Sequence, residues 1–444
     1  MIKSEVIRTL GQFQRIVRKM QKLDEFAFDT ETNTLRVNSD SDEFKIVGIS
    51  ISWSEYDNYY IPLGHVFDED QLPVEVVAKG LKPIFEREDV RIIGHNLKYD
   101  LHVLARIGIH VKTLDLFDTM IASWICDENT PNGLKDNTST ILGIDQTKIA
   151  DVFSTVTNEE KKSVGLKANN KATFDLVRID VGSPYAIADS YYTWKLYLHF
   201  LDKLEQEGME KIYFTVYPQF LTTLYRMEER GITLDIDRLR EMDLEMARDI
   251  EDIEYQLLEI AGCELNLGST QQLCQLLFGY SDFKSVNQTL IDCSFGLKPV
   301  GATKTGVPSA SANDIKKLSK QSYKNRRKQE GVEFCKLLLE HRKLTKLKTF
   351  VTKFEELVYK DGRIHCNFNI IGTDSGRISC SDPNLQQIPN SAEDDKYNLR
   401  ELFMGGIDKK TGKRKHIISV DLIKFTLNLV NCLKALKLNT LQHS

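Results

Sequence analysis

The run Phe26-Ala27-Phe28-Asp29-Thr30-Glu31 constrains this chain more than any other segment. Its aromatic residues predict a strand over Glu25–Thr30. Alternate side chains of a strand share a face, so Asp29 and Glu31 project together, roughly 6–7 Å apart along it. Two like charges on one side of an apolar strand repel, and taking them out of water is costly. A divalent cation between them reverses that cost. The alternative is solvated charge at a strand edge, and the pair alone does not separate the two.

Similar β-rich runs predict strands over Lys45–Trp53, Tyr59–Leu63 and Val90–Gly94. Apolar residues spaced by three and four predict helices over Leu72–Phe85, Tyr99–Ile107, Thr119–Ile125 and Tyr185–Phe200. The expected class is therefore α/β, a mixed sheet flanked by helices. Residues 127–181, rich in Asn, Lys, Thr and Asp, are read as rim loops and short helices. Beyond about residue 205 the pattern turns helical from Ile212 to Ile260, punctuated by Gly231 and Asp235. A polar stretch (Ser281–Asn313) leads to a helix reaching Tyr359, then a turn and a strand over Arg363–Ile370. A length of 444 residues implies two or three domains. The divisions expected are 1–205, 206–360, 361–421 and 422–444.

The 8 cysteines are scattered without a metal-type pair, which points to free thiols in a reducing cytoplasm and away from a zinc site. No apolar run has the length of a signal peptide or a membrane span, so a cytoplasmic protein is expected. A net charge of -5 says little about partners until the charges are mapped.

Two further carboxylates stand out. Asp100 follows Gly94-His95-Asn96-Leu97-Lys98-Tyr99 and shares a helix face with Leu104 and Ile107, where an acid needs a partner. Its bland reading is ordinary acidic charge at a helix start. Asp189 lies one helical turn beyond Tyr185, so the two address the same small volume, although aromatics at this spacing are more often core. His95 and His102 read as structural, hydrogen-bonded residues.

Taken in order, Asp-x-Glu on a strand, Asn-x-x-Tyr-Asp after a strand and Tyr-x-x-x-Asp on a helix resemble the DEDDy exonucleases at Asp29, Glu31, Asp100, Tyr185 and Asp189. The resemblance covers about residues 1–205 and implies a ribonuclease H-like fold. It implies two Mg²⁺ or Mn²⁺ ions ~3.5–4 Å apart, held by Asp29, Glu31, Asp100 and Asp189 across a scissile phosphate. By the same resemblance Asp29 bridges both ions and Asp100 serves mainly the second. Tyr185 and Glu31 orient the attacking water, Leu35 lies beside the substrate base, and Asn96 stands near the DNA. RNase D-like enzymes share these acids but continue differently.

The continuation here is similar to family A DNA polymerases. Tyr225-Arg226-Met227-Glu228-Glu229-Arg230-Gly231-Ile232 and Asn266-Leu267-Gly268-Ser269-Thr270-Gln271-Gln272-Leu273 look like the family's thumb entry. Arg342-Lys343-Leu344-Thr345-Lys346-Leu347 and the run from Thr373 to Pro389 match in order. The resemblance makes Arg342, Lys343, Lys346, Arg377, Asn384 and Gln386 DNA contacts in the primer–template groove and backbone. The cluster Lys316, Lys317, Lys320, Lys324, Arg326, Arg327 and Lys328 divides evenly between phosphate contact and a solvated helix face.

At His416-Ile417-Ile418-Ser419-Val420-Asp421 the likeness reaches the palm strand, with Asp421 as the first polymerase metal ligand. The chain then reads Leu422-Ile423-Lys424-Phe425-Thr426-Leu427-Asn428, with Thr426 in place of the family's sugar-discriminating Glu. One carboxylate does not clamp two metals, so polymerase activity is not expected from this chain alone. The departure suggests a truncation by frameshift or readthrough, and a start directly at the exonuclease resembles phage enzymes acting in a bacterial host. The leading expectation is a proofreading 3′→5′ exonuclease acting on single-stranded 3′ ends and primer–template DNA, alongside replication accessory proteins. A catalytically idle DNA-binding remnant and one part of a split polymerase are the competing readings.

Overall fold

The computed structural model describes residues 2–35, 37, 44–373, 375–389 and 396–406. Asp421 and the tail after it lie outside these. The described chain forms two compact units, one from residues 2–231 with 365–384, the other from 232–364 with 385–406.

The first unit is built on a six-stranded sheet: β1 (Glu5–Val6), β2 (Glu25–Thr32), β3 (Ile46–Ser52), β4 (Asn58–Pro62), β5 (Arg91–Gly94) and β6 (Leu116–Asp118), in the order β1-β4-β3-β2-β5-β6. β2 pairs antiparallel with β3 and parallel with β5, so the sheet is mixed as expected. Alternation puts Phe26 and Phe28 on one face of β2, where both meet the Phe85 ring edge-on at 5.1 and 4.9 Å. Asp29 and Glu31 take the opposite face. The register slips between Glu31 and Thr32, a bulge at the acidic end of the strand. Opposite Glu31 stands Gly48, where any Cβ would collide with the Tyr60 phenol.

The helices of this unit are α1 (Leu10–Met20), α2 (Val74–Phe85), α3 (Leu97–Arg106), α4 (Thr119–Cys126), α5 (Leu134–Leu142), α6 (Ile149–Ser154), α7 (Asn158–Ser163), α8 (Ile179–Gln206) and α9 (Glu210–Arg230). α1 was not foreseen, although Thr9 and Gln12 form a capping box at its start. α8 begins six residues before the predicted helix and carries Pro184 inside it. Residues 127–181 are short helices and loops, as read from their composition. Asn367–Asn369 and Ser379–Ser381 add a small antiparallel pair.

The second unit is mainly helical: α10 (Ile236–Ala261), α11 (Thr270–Phe278), α12 (Gln288–Asp292), α13 (Ala312–Leu318) and α14 (Arg326–Leu357). Asp235 caps α10 by accepting from the Arg238 amide. Leu239, Met242, Met246, Ile253 and Leu257 form its buried stripe, packed in one core with Phe334, Leu338, Leu347 and Val351 of α14. Ile232–Leu234, Arg363–Ile364 and Phe403–Met404 make a three-stranded sheet.

Three expectations are corrected. The helix reaching Tyr359 is two helices, because Asn325 caps a new start by accepting from the Lys328 amide at 3.0 Å. The strand predicted over Arg363–Ile370 is broken at His365 and Cys366, its two ends pairing in different sheets. Within the basic cluster Arg327 is structural, donating to the Ile260, Ala261 and Cys293 carbonyls. No helix among the described residues is long and apolar enough to cross a membrane.

Candidate active site

Each acid is delivered by a different piece of local structure. Asp29 and Glu31 come from the bulged end of β2, Asp100 from the first turn of α3, and Asp189 from the middle of α8. The chain reaches α3 through Asn96, whose left-handed backbone (φ 57) suits asparagine better than most residues. Asp118, at the end of β6, accepts from the amides of Asn96 and Leu97 at 3.1 and 2.8 Å and from that of Met120 at 2.9 Å. One carboxylate therefore starts both α3 and α4.

Asp29, Glu31 and Asp189 each present an oxygen within 4.8 Å of the others. Asp100 stands outside that trio but lines the same cleft of about 410 Å³, as do Asn96 and Tyr185. Its Oδ1 accepts from the Thr30 amide at 3.0 Å and from the Thr30 hydroxyl at 2.5 Å. The cleft thus gathers all five residues expected to be catalytic. It does not gather Leu35, which lies beyond the end of β2, 86% exposed.

Packing acids together disfavours their charged forms. Burial, then the charges of Asp100, Glu31 and Asp189, hold the Asp29 carboxyl well above the usual range. Glu31 is raised similarly by burial and by Asp189. Burial pushes Asp100 to about 7, against the hydrogen bonds from Thr30, and Asp189 to about 6. The buried Asp189 Oδ1 has no hydrogen-bond partner among the described residues. A buried carboxylate oxygen without such a partner, beside two other acids, fits a hard cation, which prefers oxygen ligands.

Two residues here escaped the sequence reading. Lys135, from the first turn of α5, donates to the Tyr185 hydroxyl at 2.6 Å and lowers the cost of ionising Asp29, Glu31 and Asp189. It sits in the polar stretch assigned to the rim, where no periodicity marks it. Asp118 carries the ordinary signal of an N-cap before the predicted helix at Thr119, but nothing in the sequence announces its second duty. His95 also lines the cleft; burial pushes its pKa down to about 4, and its ring is hydrogen-bonded to Thr119.

Behind α3 lies a buried charged network. Glu228 of α9 accepts from Lys98 at 2.5 Å, from His102 at 2.7 Å and from the Phe368 amide at 2.5 Å. Lys98 also donates to Asn367, and His102 to Glu229 at 3.0 Å. The expected DNA contacts divide between the units. Arg377, exposed, and Asn384, half-buried, belong to the first; Arg342, Lys343, Lys346 and Gln386 belong to the second. Lys343 and Lys346 are exposed on α14, while Arg342 is half-buried and donates to the Ala310 carbonyl.

Comparison with known proteins agrees with this geometry. The profile described as 3'-5' exonuclease matches residues 4–205, and that of DNA polymerase family A matches 236–430. The latter runs past Asp421 into the stretch read above as divergent. DNA polymerase I of Chloroflexus aurantiacus is 32% identical over 407 residues, covering 90% of this chain and 38% of the relative. The DNA polymerase of Escherichia phage T5 is 32% identical over 385 residues, covering 82% and 40%. The chain thus spans about two-fifths of the length of these curated relatives. Among solved structures, the POL domain of Pol1 from M. smegmatis in complex with DNA primer-template and dNTP shares the fold, with a TM-score of 0.67 at 21% identity over 90% of this chain and 59% of that one.

Proposed function

Since the chain belongs to DNA polymerase family A and carries a 3′–5′ exonuclease domain ahead of its polymerase region, we propose that its acidic cleft removes nucleotides from DNA 3′ ends in a proofreading role. Divalent metal use accompanies a domain of this kind, and the proposal names Mg²⁺ or Mn²⁺. The observation that carries it is the convergence of four acids in one cleft, three of them with oxygens within 4.8 Å of one another. Asp29, Glu31 and Asp189 would hold ions as a compact trio, with Asp100 approaching from α3. The chemistry such ions supply when bound is a lowered water pKa and stabilisation of the departing 3′ oxygen.

The chain's own residues supply the rest. Burial and the neighbouring acids raise the Tyr185 phenol far above its ordinary value, so at neutral pH it keeps its proton and acts as a donor rather than a base. It is suited to orient a water, as Glu31 is suited to accept from one. Thr30 fixes the Asp100 carboxylate, which then needs no reorganisation when a phosphate arrives. Arg377, Asn384 and Gln386, with Arg342, Lys343 and Lys346, are proposed to meet the primer–template duplex.

The test is shortening of a 5′-labelled single-stranded oligodeoxynucleotide on a gel. Wild type with Mg²⁺ shortens it, and chelation or Asp29→Ala stops the reaction. Equal shortening by Asp29→Ala, or none by wild type with either Mg²⁺ or Mn²⁺, overturns the proposal.

A further inference from the structure

Among the described residues lining the acidic cleft, Lys135 is the one lysine or arginine. Its ammonium group lies 2.6 Å from the Tyr185 hydroxyl oxygen and 3.8 Å from the centre of the Tyr185 ring. Lysine has three donors and no acceptor, so this bond runs in one direction, into the phenol oxygen. The phenol must then aim its own hydrogen elsewhere, toward the cleft that Asp189 also lines. Contact with the ring face anchors the ammonium a second way. Residue 135 is placed for this by the first turn of α5, since Gly133, Leu134 and Asp136 line the same cleft.

We propose that Lys135 is a positioning residue of the exonuclease site, orienting the Tyr185 hydroxyl and serving as the resident counter-charge of the acids before metal arrives. The proposal rests on the nuclease reading above. The two duties have opposite consequences when the charge is deleted. Removing a fixed cation from among the acids makes the empty trio more attractive to a dication, whereas releasing the phenol slows the reaction. A merely structural lysine would lower both together.

Lys135→Met and Lys135→Arg are compared with wild type in two measurements. The first is calorimetric titration of the DNA-free protein with Mn²⁺. Lys135→Met binds about tenfold more tightly, and Lys135→Arg binds as wild type does. The second is steady-state shortening of the labelled oligonucleotide. Lys135→Met loses about 10–100-fold in kcat with little change in KM, and Lys135→Arg stays slow, because a planar guanidinium does not reproduce a point donor at the phenol. Unchanged or weaker Mn²⁺ binding by Lys135→Met overturns the proposal, as does wild-type kcat in that variant. Should Lys135→Met melt well below wild type, Lys135→Gln takes its place under the same criteria. A wild type that neither binds Mn²⁺ nor shortens DNA refutes the nuclease reading itself, a result distinct from either failure of Lys135.

Discussion

Asp29, Glu31, Asp100 and Asp189 hold their protons more tightly than carboxyls in water, chiefly through burial. A folded pKa above the unfolded value, about 4 for these groups, means that the native state binds protons the unfolded chain has released. Stability of the metal-free protein therefore falls as pH rises from about 4, through about 6 for Asp189 and about 7 for Asp100, with Asp29 and Glu31 acting in the same direction. His102 adds to the trend. Burial works against its charged form, but the bonds to Glu228 and Glu229 more than offset that and raise its pKa. The stability it contributes is complete below about 6.5 and is lost as pH climbs through the folded value. Only the acids answer to metal. In chelator the Tm measured by calorimetry declines from pH 5 to 7.5, and Mg²⁺ restores more of it at the higher pH. Asp29→Asn raises the metal-free stability by about 0.5–2 kcal/mol while abolishing nuclease activity. Each acid alone had a bland reading; together they were legible because their order along the chain resembles the DEDDy pattern. Lys135 was not, because a lysine in a polar stretch looks like any other until a tertiary contact singles it out.

At the level of elements, α3 is held at its start and through its middle. Asp118 fixes its first amides, and Glu228 takes the side chains of Lys98 and His102 one turn apart. Asp100 lies between those anchors, so the network sets where this acid stands. Glu228 is 1% exposed, and a glutamine there would take the counter-charge from Lys98 and turn one acceptor atom into a donor facing the donors around it. Glu228→Gln should cost about 3–5 kcal/mol by chemical denaturation. α3 was readable from its apolar spacing, and β2, β3, β4 and β5 from their clustered β-branched and aromatic residues. The strand over Arg363–Ile370 was not read correctly, because its β-rich composition continues through His365 and Cys366 while its pairing does not. His365 instead donates to the Glu228 carbonyl at 2.7 Å. Local propensity reports what a segment favours, not which partner claims it.

Across the whole molecule, each unit has its own main hydrophobic core among the described residues, one on the mixed sheet and one between α10 and α14, and a smaller cluster around Tyr60 and Phe174 joins the first unit. Units with their own cores need not unfold together. Calorimetry should resolve two transitions, and Mg²⁺ should move only the one belonging to the unit that holds Asp29. A single transition shifted whole by metal would show instead that the cores melt as one. The second unit's proposed DNA role has its own measure: Lys346→Ala should weaken duplex binding similarly on unrelated sequences and reduce the salt slope by about 1. The change from α/β to helical character was plain in the sequence because the hydrophobic period itself changes. The return of residues 365–384 to the first unit was hidden, since nothing in a local pattern records a revisit after more than a hundred intervening residues.

The slip in pairing between Glu31 and Thr32 bears on how this segment can vary. Substitutions between Phe26 and Glu31 alter one side chain at a time, but adding or deleting a single residue there inverts everything downstream of it. A one-residue deletion at Ala27 would swing an acid toward Phe85 and an aromatic toward the cleft. The segment is in effect length-locked, and tolerance to mutation within it should be sought in chemistry, never in spacing.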